Sequence, residues 1–188
     1  DTIKAGYSQG LGPRNIALDL VGRVGANGRR SGGVVGLSRP QYEAATHMRD
    51  ILRSDPRAYF IKNRETGALV GRFTKRDKRF DSMIRKAING DIKLTDAQIG
   101  RITGCYADRL LKLRGDTIAR TETAQAVEAA RQEAFAQWQD KSGVADDFII
   151  RRWDHAGGLK GSRDWHVDMD GMTVRGMNTP FVTPRGAR

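Results

Sequence analysis

TDAQIGRITGCYADRLLKLRGDTIARTETAQAVEAARQEAFAQWQDK, residues 95–141, is the stretch that decides the fold. Thr95 followed by Gln98 has the form of a capping box, in which each side chain satisfies the other residue's free backbone N–H. Behind it Ile99, Ile102, Tyr106, Leu110 and Leu113 recur at spacings of 3, 4, 4 and 3, which predicts an amphipathic helix. Cys105 sits beside that stripe and is read as a packing residue rather than a reactive thiol. Gly115 is expected to interrupt the helix, so that residues 95–142 form a helical hairpin or helix pair. The second arm, Asp116 to about Lys141, carries an apolar stripe of Val127, Ala130, Ala134 and Trp138. Its many alanines would allow a neighbouring helix to approach closely.

Upstream, residues 1–94 read as a basic helical region. Pro13 suits the first turn of a helix, and Ile16, Ala17, Leu20, Val21 and Val24 follow at helical spacing. Gly25 to Gly36, with five glycines around Arg29 and Arg30, reads as a mobile loop. It lacks the Gly-Lys-Ser/Thr ending and the preceding strand of a nucleotide-binding loop. Ser38 and Gln41 form a second capping box, for a helix burying Tyr42, Ala45, Met48 and Leu52. Asp55-Pro56 ends it. Residues 59–73 fit no single pattern, and Phe80, Ile84, Ala87 and Ile88 predict a short helix closed by Asn89-Gly90.

Downstream of Ser142-Gly143 the composition changes. Residues 148–153 read as a strand, residues 155–162 as a glycine-rich turn, and Val167 and Thr173-Val174 as extended pieces around an Asp170-Gly171 turn. The expected fold is therefore mainly α: a helical body with a long alanine-rich helix, followed by a small α+β C-terminal cap over residues 143–188.

With 188 residues, 38% hydrophobic and 7% aromatic, the chain can build one or two small cores. It has no apolar run of about 18 residues that would suggest a membrane span. The first ten residues lack the pattern of a secretory leader and an initiator Met, which suggests a processed start. A single cysteine excludes an internal disulfide and suits a reducing cytoplasm. The net charge of +11 is uneven: residues 1–90 hold 18 Lys/Arg against 8 Asp/Glu, whereas residues 91–188 hold 15 against 14. Arg72, Lys75, Arg76, Lys78, Arg79, Arg85 and Lys86 form the densest cluster. Such a surface suits a polyanion, either nucleic acid or an acidic protein wall, although a merely solvated face has the same composition.

Two further segments hold candidate chemistry. In Ile118-Ala119-Arg120-Thr121-Glu122-Thr123, Asp116 and Arg120 have the spacing of a helix-surface ion pair, and an ordinary amphipathic helix would look the same. Between Asp154 and Asp170, His155 and His166 stand among four aspartates. They could bind a metal or act as a nuclease beside the basic surface. However, no cysteine assists, no paired histidines share a helix face, and a partner Asn is not convincingly placed. Hydrogen bonding within turns is the plainer reading, so neither a cofactor nor a metal is assigned.

Taken in order, these segments resemble a family. Arg120-Thr121-Glu122-Thr123 is followed by the alanine-rich helix with Ala130-Arg131. Then come Trp153, Arg163-Asp164, His166, Met169-Asp170-Gly171 and Pro180-Phe181-Val182 with Pro184 and Gly186. Over about residues 115–188 the chain resembles the phage head-morphogenesis family, the Mu-type minor head proteins. The resemblance implies a minor capsid protein with no enzymatic role, placed inside the virion near the portal and made in the host cytoplasm. Its implied partners are the portal protein, the major capsid protein or scaffold, and packaged DNA, without membrane contact in the head. It also implies docking roles: His166 and Asp170 would fix the cap's turn, and Arg120 and Glu122 would tie the long helix to the cap. Some relatives carry a Cys-x-x-Cys where this chain has Arg163-Asp164-Trp165-His166, so no metal is carried over. Three alternatives compete: a metal-dependent nuclease, a non-specific DNA-binding protein without head association, and an ADP-ribosyltransferase. The last would need a Glu-x-Glu loop that the sequence lacks.

Overall fold

The computed structural model describes residues 2–26, 30–155 and 164–183. It is mainly α-helical, with three small antiparallel strand pairs. The chain divides into two compact units, Asp1–Gln125 and Ala126–Arg188.

The first unit opens with α1 (Thr2–Ser8), which the sequence pattern did not announce, and α2 (Pro13–Val21). Strands β1 (Arg23–Val24) and β2 (Arg30–Ser31) pair antiparallel next. Val24 is therefore an exposed strand residue and not part of the helical stripe. The glycine-rich segment expected to be a loop is tied down where it is described. Val34 and Val35 both donate backbone hydrogen bonds to the Leu20 carbonyl, and Gly33 lies directly on the Val21 backbone, where a side chain would not fit.

The capping box at Ser38 and Gln41 is present and starts α3 (Arg39–Ser54). Ala45, Met48, Ile51 and Leu52 are buried, but Tyr42 is exposed. At that end of the helix it is Gln41 that turns inward, donating to the Leu110 carbonyl at 3.1 Å. Asp55-Pro56 ends the helix and opens a 3-10 turn, Pro56–Tyr59. The ambiguous segment is a hairpin, β3 (Phe60–Lys62) with β4 (Leu69–Gly71), followed by α4 (Asp81–Asn89) ending at a left-handed Gly90.

One uninterrupted helix, α5 (Asp96–Ser142), replaces the expected hairpin or helix pair. Gly115 does not break it. Instead, Gly115 is buried against Ala17 and Val21 of α2, so its missing side chain serves close packing. This contact explains why Leu113, the last member of the predicted stripe, is exposed. The buried seam moves around the helix to Gly115 and Ala119, taking α5 from a larger core built on α3, β3 and α4 to a smaller one built on α2.

In the second unit the predicted stripe of α5 stays open: Val127 is 45% and Trp138 50% exposed, and Ala130 and Ala134 are exposed too. Alanine, glutamate, glutamine and arginine are strong helix formers, so this stretch needs no buried face to remain helical. Gln132–Glu128 and Gln137–Glu133 side-chain bonds one turn apart support it further. A 3-10 turn (Asp146–Phe148) leads into β5 (Ile150–Arg152), which pairs antiparallel with β6 (Thr173–Arg175). The strand starts later than expected, because Phe148 belongs to the turn and Ile149 is the buried anchor. Between the strands lies α6 (Asp164–Asp168), so Val167 is helical and not extended. Most of the predicted glycine-rich turn, with Arg163, Pro184 and Gly186, lies outside the described residues.

Candidate functional site

The seven cationic residues predicted as one cluster have different fates. Arg76 is structural: both Nε and Nη2 grip the Asp81 carboxylate, and its side chain covers Gly71 so closely that a Cβ there would collide with it. Arg85 lies over the Phe60 ring, 4.4 Å from its centroid, a cation–π contact on the α4 surface. Arg72, Lys75, Lys78 and Lys86 are exposed.

Arg79 belongs to a built site. Its partner Asp77 has a side chain only 3% exposed, whereas that of Arg79 is 80% exposed. Arg79 donates from Nε at 3.0 Å and from Nη2 at 2.6 Å to Asp77 Oδ2. Its backbone N–H also donates to Asp77 Oδ1 at 3.1 Å, which starts a 3-10 turn at Lys78–Phe80. From α5, Arg109 Nη2 reaches the same carboxylate at 3.1 Å, and its Nη1 donates to the Arg76 carbonyl at 2.7 Å. The hydrogen bond from the Arg79 side chain, outweighing burial and aided by the Arg109 charge, lowers the Asp77 pKa to about 2. Asp77 is thus ionised throughout the physiological range and fixes two guanidinium groups.

These groups border a concavity of about 540 Å³ lined by six cationic side chains, Lys75, Arg76, Lys78, Arg79, Arg109 and Lys112, and by the two carboxylates of Asp77 and Asp116. Lys112 and Asp116 also line an adjoining concavity of about 530 Å³ with Arg14 and Arg120. The basic surface therefore runs from the 74–79 loop across α5 to α2. The sequence reading missed Asp77, Arg109, Lys112 and Arg14. Arg109 and Lys112 flank the apolar stripe of α5, but nothing in their spacing tied them to a loop about 30 residues upstream.

Arg120, Thr121 and Glu122 are exposed on α5, and among the described residues no ion pair within 4 Å joins Asp116 to Arg120. In the second unit several residues of the C-terminal series meet. The Trp153 ring lies 5.6 Å from that of His166 and 5.5 Å from that of Phe181, both edge-on. Trp165 adds to His166 at 3.8 Å, and the Arg151 guanidinium sits over Phe181 at 5.4 Å. Asp170 accepts the His155 backbone N–H at 2.9 Å, and Gly171 takes the left-handed conformation that closes the turn (φ 79°). Pro180 is exposed beside them. Among the described residues no group of three or more His, Cys, Asp or Glu side chains is placed to hold a metal ion. No described helix is long and apolar enough to cross a membrane.

No protein-family model, no curated protein and no solved structure matches this chain.

Proposed function

We propose that this chain is a minor head protein of a tailed phage, located inside the capsid near the portal and acting in head assembly or in DNA packaging and delivery. The observation that carries this reading is the aromatic cluster of the cap. Trp153, His166 and Phe181 are spread over 29 residues of sequence, yet the Trp153 ring packs edge-on against both of the others while its carbonyl accepts the Gly171 N–H of the Asp170-Gly171 turn. Trp153, His166, Asp170, Gly171 and Phe181, five of the residues that carry the resemblance to minor head proteins, thus come together in the cap, which supports a docking role for it. The portal protein, the major capsid protein or scaffold, and packaged DNA are the proposed partners. Packaged DNA fits the cationic surface of the first unit, because a dense phosphate backbone is the strongest and least sequence-selective attractor for it.

Quantitative mass spectrometry of purified particles and empty proheads, with this chain counted against the portal, tests the reading. A few copies per portal in both are expected. Absence from both would remove it. A second reading, a DNA-binding protein without head association, is favoured by the same cationic surface and would then remain, with the metal-dependent nuclease, to be tested.

A further inference from the structure

We infer that the concavity bounded by Lys75, Lys78, Arg79, Arg109 and Lys112 is a binding site for a DNA backbone phosphate, with Asp77 as the buried residue that positions its two guanidiniums. The inference rests on the DNA-contacting part of the reading above and locates it in one place.

Three observations carry it. First, the cations are held in place. An exposed arginine on a surface loop samples many rotamers and loses that freedom on binding. Here one carboxylate, almost wholly buried, holds Arg79 through Nε and Nη2 and Arg109 through Nη2, while the Arg76 carbonyl holds Arg109 Nη1. Second, each guanidinium has five N–H donors, and the inward contacts use only some of them. Asp77 thus orients both arginines without consuming their capacity to donate to a phosphate oxygen. Third, the surrounding charge is unbalanced. Arg76 is already paired with Asp81, and the other five cations against two carboxylates still leave an excess that an anion would neutralise; one of those carboxylates, Asp77, lies beneath the surface. Lys112 stands where the two concavities adjoin, so a strand held at the first would pass on towards Arg120 and Arg14.

The test uses the whole chain, with inorganic phosphate and a short DNA duplex as separate probes. Arginine side-chain N–H resonances are followed by NMR, and duplex affinity is measured across a salt series. Saturable phosphate-induced shifts are expected at Arg79 and Arg109. Lys112→Ala, an exposed change that leaves the fold intact, should weaken them and reduce the slope of log affinity against log salt by about 1. Asp77→Asn should abolish the shifts while circular dichroism stays native; should that variant unfold, Lys112→Ala decides alone. Shifts spread evenly over all arginines would overturn the site. So would an unchanged salt slope in Lys112→Ala when charge reversal at Arg72, Arg85 and Lys86 flattens it, an outcome that keeps DNA binding and moves it elsewhere. Saturable phosphate binding with no duplex binding would keep an anion site and remove DNA as its ligand.

Discussion

Gly115 lies so close to Val21 that a Cβ on it would stand 2.5 Å from Val21 Cγ1 and 3.1 Å from the Ala17 carbonyl oxygen. By helix propensity alone, Gly115→Ala should stabilise α5 by about 1 kcal/mol. Overpacking against a buried β-branched side chain costs about 1–3 kcal/mol and wins. The variant should melt several degrees lower. Gly104→Ala, on the same helix with nothing within 4 Å of its Cβ, should melt slightly higher. Thermal denaturation of the two variants side by side checks both signs.

A second expectation concerns Arg76 and Asp81, whose side chains are only 13% and 18% exposed. Removing the cation leaves a largely desolvated carboxylate without its partner. Arg76→Ala should therefore cost about 3 kcal/mol, measured as a shifted midpoint in urea. Arg72→Ala, an exposed neighbour, should change the midpoint little.

Acid should weaken the first unit through Asp77. Its folded pKa of about 2 lies below the ordinary carboxylate value of about 4. A group depressed in this way stabilises the fold while ionised. Its contribution is complete above the unfolded value and is lost as pH falls through the folded one. Stability should thus drop between about pH 4 and pH 2, and Asp77→Asn should lose that part of the profile. Melting curves over this range, wild type against variant, make the comparison.

In the cap, Gly171 at φ 79° occupies backbone space that a side chain enters at a cost of roughly 1–2 kcal/mol. Gly171→Ala should speed proteolysis within residues 145–183 while the helical far-UV signal of α5 persists. Equal cleavage rates for variant and wild type would count against the turn as the fastener of the cap.

The helices with strong local signals were legible in the sequence. Ser38 with Gln41 and Thr95 with Gln98 mark the two helix starts, because a capping box is a contact between residues three apart. What the pattern hid was set by contacts between distant residues. Gly115 looked like a breaker because nothing local shows that α2 needs its bare backbone. Tyr42 looked buried because spacing does not reveal that Gln41 would take the inward place. The cationic site was half legible: charge density pointed to residues 72–86, but Arg76 was spent on Asp81, and Arg109 entered from a helix far along the chain.

Each described ladder joins neighbouring strands: β1 with β2, β3 with β4 and β5 with β6. The first two join strands only a few residues apart and are of the kind that closes in microseconds without a distant segment. On the ribosome they can form as soon as they emerge. The cores of the first unit are different. Arg30 waits for Asp108 and Gly36 waits for Arg114, each pair 78 residues apart. Its cores therefore stay open until α5 has left the exit tunnel, and synthesis of this one helix sets the moment at which the unit becomes resistant to proteases.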